Sequence, residues 1–195
     1  MGNLFDRACK YSIEKHSNQL RKDGSLYILH PFEVATIAST MTSDEEVLAA
    51  AVLHDTVEDT DSTFDDINEL FGDKIANLVK KETENQYPDL TKEESWILRK
   101  KEAITKLKET NDINFKIIYL SDKLANIRSL YRDYDNNGMK AFDRFNVKDI
   151  SIQGWYYNEL LSCFKELENY DAYKEFKEKI DYVFKEMREL KWKRK

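Results

Sequence analysis

The sequence predicts an all-α fold in a single domain spanning residues 1–195, and three observations carry that prediction. Helix breakers are scarce, with only 5 Gly and 2 Pro. The charged fraction reaches 35%, mixed with Leu, Ala and other good helix formers. Apolar residues recur at helical spacing from end to end, and no strand-like alternation survives beyond a few residues. A chain of this length can bury a substantial core.

A first amphipathic helix is expected from Leu4 to His16, with Phe5, Ala8, Cys9 and Ile13 on one face. The polar stretch Ser17 to Ser25 forms a loop that carries Arg21, Lys22 and Gly24. Pro31 suits the first turn of a second helix running through Ala38. Ser43 and Glu46 read as a capping box that opens a third helix, whose apolar run Val47 to Leu53 leads into His54. Thr63 with Asp66 marks another start, Gly72 a stop or tight corner, and Lys74 to Glu84 a further helical run. Asn85 to Leu90, with Pro88, reads as a loop. Thr91 and Glu94 form a capping box before a long charged helix to about Glu109. Phe115 to Tyr131 is the most apolar of the later helices, and Asp135 to Gly138 a turn. Two amphipathic helices, roughly Ser151 to Leu167 and Tyr173 to Leu190, precede a frayed basic tail at 191–195.

Composition narrows the function. A net charge of -6 gives no global attraction for nucleic acid, so a polyanionic substrate needs a local basic patch. No secretory signal is visible, and the longest apolar run is far too short to span a bilayer, so a cytoplasmic protein without a membrane partner is expected. Cys9 and Cys163 lie far apart with no CxxC spacing, which favours reduced thiols over a disulfide or a zinc ribbon.

Four segments carry chemistry: Tyr27-Ile28-Leu29-His30-Pro31, then His54 to Thr60, then Asp122 to Asn126, and the basic pair Arg21-Lys22. Two of the 3 His fall within them. Imidazole nitrogen mixed with carboxylate oxygen suits first-row divalent metals. The adjacent His54-Asp55 pair can bracket one ion, and His30 with Asp122 can complete four ligands. If the second segment is helical, Glu58 lies one turn after His54 and Asp59 one turn after Asp55. Carboxylates placed there can orient or deprotonate an attacking water. Asn126, one turn after Asp122, can offer an amide to substrate.

Each element has a plainer reading. A His before Pro is usually a cap or core residue, a carboxylate cluster usually a solvated helix end, and a basic pair usually exposed. The apolar run before His54 weighs against the solvated reading, because buried acids need a partner and a cation is the simplest one. For Asp122, in a mostly apolar helix, the alternative is a salt bridge to Lys or Arg. His16 is expected to be structural or exposed, and Trp155-Tyr156-Tyr157 to serve packing.

Taken together, the segments resemble the hydrolase domain of RelA/SpoT homologues, a branch of the HD superfamily, and in layout the small alarmone hydrolases. The resemblance rests on Arg21-Lys22-Asp23-Gly24 before Tyr27-Ile28-x-His30-Pro31, on His54-Asp55-Thr56-Val57-Glu58-Asp59-Thr60, on Phe71-Gly72 with Ile75 and Leu78-Val79, and on Asp122-Lys123-Leu124-x-Asn126-Ile127-Arg128. It is strongest over residues 4–135. It implies an HD-type helical bundle with a central metal cleft. His30, His54, Asp55 and Asp122 would hold one Mn²⁺, and Glu58 with Asp59 would handle the attacking water. Arg21 and Lys22 would contact the guanine nucleotide, with Asn126 and Ser129 as further substrate contacts. The implied reaction converts ppGpp to GDP and pyrophosphate. Alternatives that keep the site are hydrolysis of ppApp or of the NADPH 2′-phosphate, and an antitoxin role opposite a toxic synthetase. A nucleotide-binding regulator without turnover is a further class. Ala125 stands where relatives often carry a larger His or Tyr, and residues 83–109 match no assigned part.

Overall fold

The computed structural model describes residues 2–21 and 24–185. Those residues are helical, apart from connecting loops and one isolated antiparallel bridge between Leu20 and Leu26. The chain runs α1 (Leu4–Lys15), α2 (Leu29–Ala38), α3 (Glu45–Leu53), α4 (Thr56–Asp59), α5 (Phe64–Phe71) and α6 (Asp73–Glu82). It continues with α7 (Lys92–Glu109), α8 (Ile113–Asn137), a 3₁₀ turn at Gly138–Phe142, α9 (Ile150–Cys163), a 3₁₀ turn at Lys165–Leu167 and α10 (Asp171–Val183). The all-α expectation holds.

Contacts divide the chain into two compact units: residues up to Glu84 with Asp112–Ala125, and Asn85–Asn111 with the residues from Asn126 onward. In the first unit α3 is the central element, touched by α1, α2 and α6. Val47 and every residue from Ala49 to Leu53 are buried, so this helix is apolar almost all round and must sit inside. Five residues of alanine or valine in that run let neighbouring helices approach closely. Ile67 of α5, Ile75, Leu78 and Val79 of α6, and Phe115, Ile118, Leu120 and Leu124 of α8 complete this core.

Local signals set most helix starts, with one correction. Thr63 and Asp66 cap α5 reciprocally, and Thr91 and Glu94 do the same for α7, as their spacing predicts. For α3 the cap is Asp44, not Ser43: its carboxylate accepts from the Glu46 N–H at 3.0 Å. The Lys74 ammonium draws Glu46 away from any cap role, bonding it at 2.7 Å and Asp44 at 2.8 Å. Gly72 ends α5 at φ 89°, a conformation that needs glycine at this corner. α6 stops at Glu82, two residues short of the predicted end, because Thr83 turns extended.

In the second unit α9 touches both α7 and α10. Tyr157 packs against Phe176 and Phe184 at tilted ring angles, with centroids 6.0 and 5.5 Å away, and Tyr156 meets Trp96 at 5.6 Å. The packing role expected for these tyrosines is therefore the observed one. α8 runs on to Asn137 instead of ending at Tyr131 with a turn at Asp135, and Gly138 at φ 58° closes it. Its second half is held by the Arg128 fork on Glu175, at 2.7 and 2.5 Å. α9 ends at Cys163, a turn before the predicted Leu167. The predicted end of the last helix at Leu190 and the basic tail lie outside the described residues. No helix among the described residues is long and apolar enough to cross a membrane. Cys9 and Cys163 form no disulfide.

Candidate metal centre

The buried helix α3 delivers His54 into the interior of the first unit, where its side chain is fully covered. His30 arrives from the first turn of α2 and Asp122 from α8, both buried. The backbone bends at His54-Asp55, which lie between α3 and the single turn α4. The continuous helix the spacing suggested is therefore broken there. Asp59 still keeps its one-turn relation to Asp55, its N–H bonding the Asp55 carbonyl at 2.9 Å.

Four side chains converge. His30 Nε2 lies 3.1 Å from Asp122 Oδ1 and 3.5 Å from Asp55 Oδ2. His54 Nε2 lies 3.1 Å from Asp55 Oδ2 and 3.8 Å from Asp122 Oδ1. Ligand atoms of His30, His54 and Asp122 all fall within 4.8 Å of one another. Asp55 meets both imidazoles through the oxygen that also takes the Tyr27 hydroxyl at 2.6 Å.

The donor set fits a divalent cation on chemical grounds. His54 Nδ1 faces the Ala51 carbonyl at 2.8 Å, and a carbonyl can only accept, so Nδ1 carries the proton. Nε2 of a neutral ring then aims its lone pair at two carboxylate oxygens and, among the described residues, has no hydrogen-bond donor facing it. A positive charge must sit at that point, supplied by a proton or by a metal. Without metal the ring takes the proton: burial opposes this, but Asp55, Asp122 and Glu82 raise the His54 pKa to about 10. The Nδ1–carbonyl bond is the usual device that fixes the tautomer of a metal-ligating imidazole.

The carboxylates split into two classes. Asp122 is held well below the usual range: burial works against ionisation, but Lys123 and the two imidazoles prevail. Asp55 is lowered likewise, against burial, by His54 and His30. Glu58 and Asp59 on α4 move the other way, raised by burial and then by the Asp55 charge. Glu58 also accepts from the Glu84 N–H at 3.3 Å. Neighbouring acids with pKa values pushed apart are the mark of divided acid–base roles.

Arg21 sits in a tight loop, its N–H bonding Ser25 at 2.9 Å, with Gly24 at φ 82° beside it. Lys22 lies outside the described residues. Asn126 and Ser129 lie on α8 in the second unit, both partly buried. His16 is buried, as a structural reading allows, and stacks on Tyr27 at 4.7 Å. Three residues at the centre carried no assigned role in the sequence: Tyr27, Glu82 and Lys123. Tyr27 and Lys123 fall inside the motif segments, but Glu82 has no local signal.

A guanosine-3′,5′-bis(diphosphate) 3′-pyrophosphohydrolase of Aquifex aeolicus is 38% identical over 127 residues, 65% of this chain and 18% of that protein. A GTP pyrophosphokinase of Brucella ovis is 37% identical over 127 residues, 65% of this chain and 17% of its own length. The chain thus spans less than a fifth of these curated relatives. Among solved structures, a metazoan orthologue of SpoT described as hydrolysing ppGpp is similar over 96% of this chain and 97% of its own, with 27% identity and a TM-score of 0.70. A protein of Listeria monocytogenes EGD-e is similar over 80% of this chain and 99% of its own, with 31% identity and a TM-score of 0.68. The HD domain profile aligns with residues 8–145, reaching from α1 past the end of α8 and so far beyond the His-Asp doublet itself; on that extent the chain belongs to the HD domain family.

Proposed function

We propose that the protein hydrolyses the 3′-diphosphate of guanosine 3′,5′-bis(diphosphate), releasing GDP and pyrophosphate, with Mn²⁺ as its metal. The observation that carries this reading is the convergence of His30, His54, Asp55 and Asp122 beside the raised carboxyls of Glu58 and Asp59. The names of the relatives support the choice of substrate. The cytoplasm is the proposed location, which the absence of a disulfide between Cys9 and Cys163 suits. Residues 1–195 acting as one hydrolase domain is supported by the likeness to the SpoT orthologue over 96% of the chain.

His30, His54, Asp55 and Asp122 would hold the ion, which supplies a Lewis acid for the phosphoryl oxygens and for water. Glu58 or Asp59 takes a proton from the attacking water, a role for which an acid poised above its ordinary range is suited. Oxygen of that water bonds the phosphorus attached to O3′, the P–O3′ bond breaks, and the 3′-oxygen takes a proton as GDP forms. Arg21 and Lys22 are the proposed nucleotide contacts, since guanidinium can stack on a base or clamp a phosphate. Asn126, one turn beyond Asp122 on α8, and Ser129 are proposed to contact the same nucleotide.

Purified protein with Mn²⁺ should convert ppGpp to GDP and pyrophosphate, resolved by anion-exchange chromatography. A panel with ppApp and NADPH tests the substrate. Turnover of either at a kcat/KM above that of ppGpp would move the assignment to that nucleotide.

A further inference from the structure

Tyr27 closes the loop that begins after α1. Its N–H bonds the Gln19 carbonyl at 3.0 Å, and its ring lies flat on His16, with centroids 4.7 Å apart and planes 18° off parallel. Gln19 also binds His16 through its side chain, Oε1 to Nδ1 at 2.8 Å, so one residue fixes both the backbone and the stacking partner of the tyrosine. The ring also meets His30 edge to face, with centroids 6.3 Å apart and planes 86° apart. The ring is thus held by a stacked His16 and an edge-on His30.

That oxygen touches two carboxylates. Its one proton is shared between two acceptors, Asp55 Oδ2 at 2.6 Å and Asp59 Oδ2. Asp55 belongs to the metal centre and Asp59 to the acid pair, one helical turn apart. We propose that Tyr27 is a positioning residue for the hydrolysis: its hydroxyl ties Oδ2 of Asp59 to Oδ2 of Asp55. Asp59 Oδ1 is then left to meet the attacking water, and the ligand Asp55 keeps one orientation toward both imidazoles. The proposal rests on the hydrolase reading for its kinetic consequence, and on geometry alone for its effect on the metal site.

The test is Tyr27→Phe, which keeps the ring and its stack on His16 and removes only the hydroxyl. A thermal melt establishes that the variant is folded. Titration with Mn²⁺, read by the EPR signal of the free ion, should show a dissociation constant raised roughly 10–100-fold, the usual consequence of losing a partner that orients a ligand. At saturating Mn²⁺, kcat for pyrophosphate release from ppGpp should fall about 10–100-fold with KM changed by less than about 2-fold, because the group acts in the chemical step and not on bound nucleotide. In an Asp59→Asn background, followed by single turnover, adding Tyr27→Phe should lower the rate by less than about 2-fold, since residues acting as a unit are not additive. Wild-type Mn²⁺ affinity together with wild-type kcat in Tyr27→Phe would overturn the proposal. So would a rise in KM at unchanged kcat, or a fully additive loss with Asp59→Asn. If wild-type protein leaves ppGpp intact while Tyr27→Phe still weakens Mn²⁺ binding, the substrate reading fails and the tie between Tyr27 and the metal site stands.

Discussion

Glu82 shows what the interior demands of a single residue. Its carboxylate is buried, 4.0 Å from the Lys123 ammonium, and Oε2 has no hydrogen-bond partner among the described residues. Burial drives its pKa up; Lys123 opposes and Asp122 reinforces, leaving it at about 8. A raised carboxyl contributes stability below its ordinary pKa, and that contribution is lost as pH rises through the folded value. In chelator-treated protein, Glu82→Gln should therefore gain on wild type between about pH 5 and pH 8, at about 1.4 kcal/mol per unit of pKa difference as an upper bound. Urea melts with parallel pH dependence in the two proteins would show that Glu82 does not titrate in this window. Glu58→Gln and Asp59→Asn test the water chemistry. Each keeps the shape of the side chain and loses its charge, so metal content should stay normal while turnover falls roughly 10²–10⁴-fold. Near-normal rates in both single variants and in the double variant would reduce this pair to a solvated helix end.

Side chains close the first turn of several helices, and α8, which carries Asp122 to the metal centre, is one of them. Asp112 opens it, Oδ1 accepting from the Asn114 and Phe115 N–H groups at 3.1 and 3.3 Å while Lys81 binds Oδ2 at 2.5 Å. Burial alone would raise the Asp112 carboxyl; the Lys81 bond and the two backbone donors outweigh it, and its pKa is lowered. A depressed carboxyl stabilises above its ordinary pKa and loses that contribution as pH falls through the folded value. Asp112→Ala should cost about 0.5–2 kcal/mol at pH 7, and the gap to wild type should shrink below about pH 4. Urea titrations at pH 7 and pH 3 measure both, and an equal gap at the two values would refute the cap. Further along the helix, Arg128 belongs to the motif after Asp122 but is engaged by Glu175 of α10, which gives it a structural role within the second unit.

At the scale of the whole molecule, a metal held at the proposed four-residue centre would couple to folding. Without an ion, two ionised aspartates would lie in a buried site, met by the imidazoles, Lys123 and the Tyr27 hydroxyl. Metal at about 100 times its Kd adds roughly 2.7 kcal/mol, so chelation should lower the melting temperature by about 5–10 °C and Mn²⁺ should restore it. An unchanged melting temperature at saturating Mn²⁺ would argue against a metal held by these residues. Helix content was legible in the sequence because it is set locally: Thr63 with Asp66 and Thr91 with Glu94 close their own first turns whatever lies around them. The candidate ligands were legible by residue type, and the burial of His54 by the apolar run before it. Where a distant residue competes, local signals fail. Lys74 on α6 engages Glu46, and the cap of α3 passes to Asp44. Tyr27, Glu82 and Lys123 escaped for the same reason, since their roles exist only once α2, α6 and α8 bring them to His54 and Asp55. The sequence by itself determined the all-α class, most helix starts and the types of ligand. Tertiary structure decided which oxygen faces which nitrogen and which acids are raised or lowered, because burial and charge act through space over a few ångströms and not along the chain.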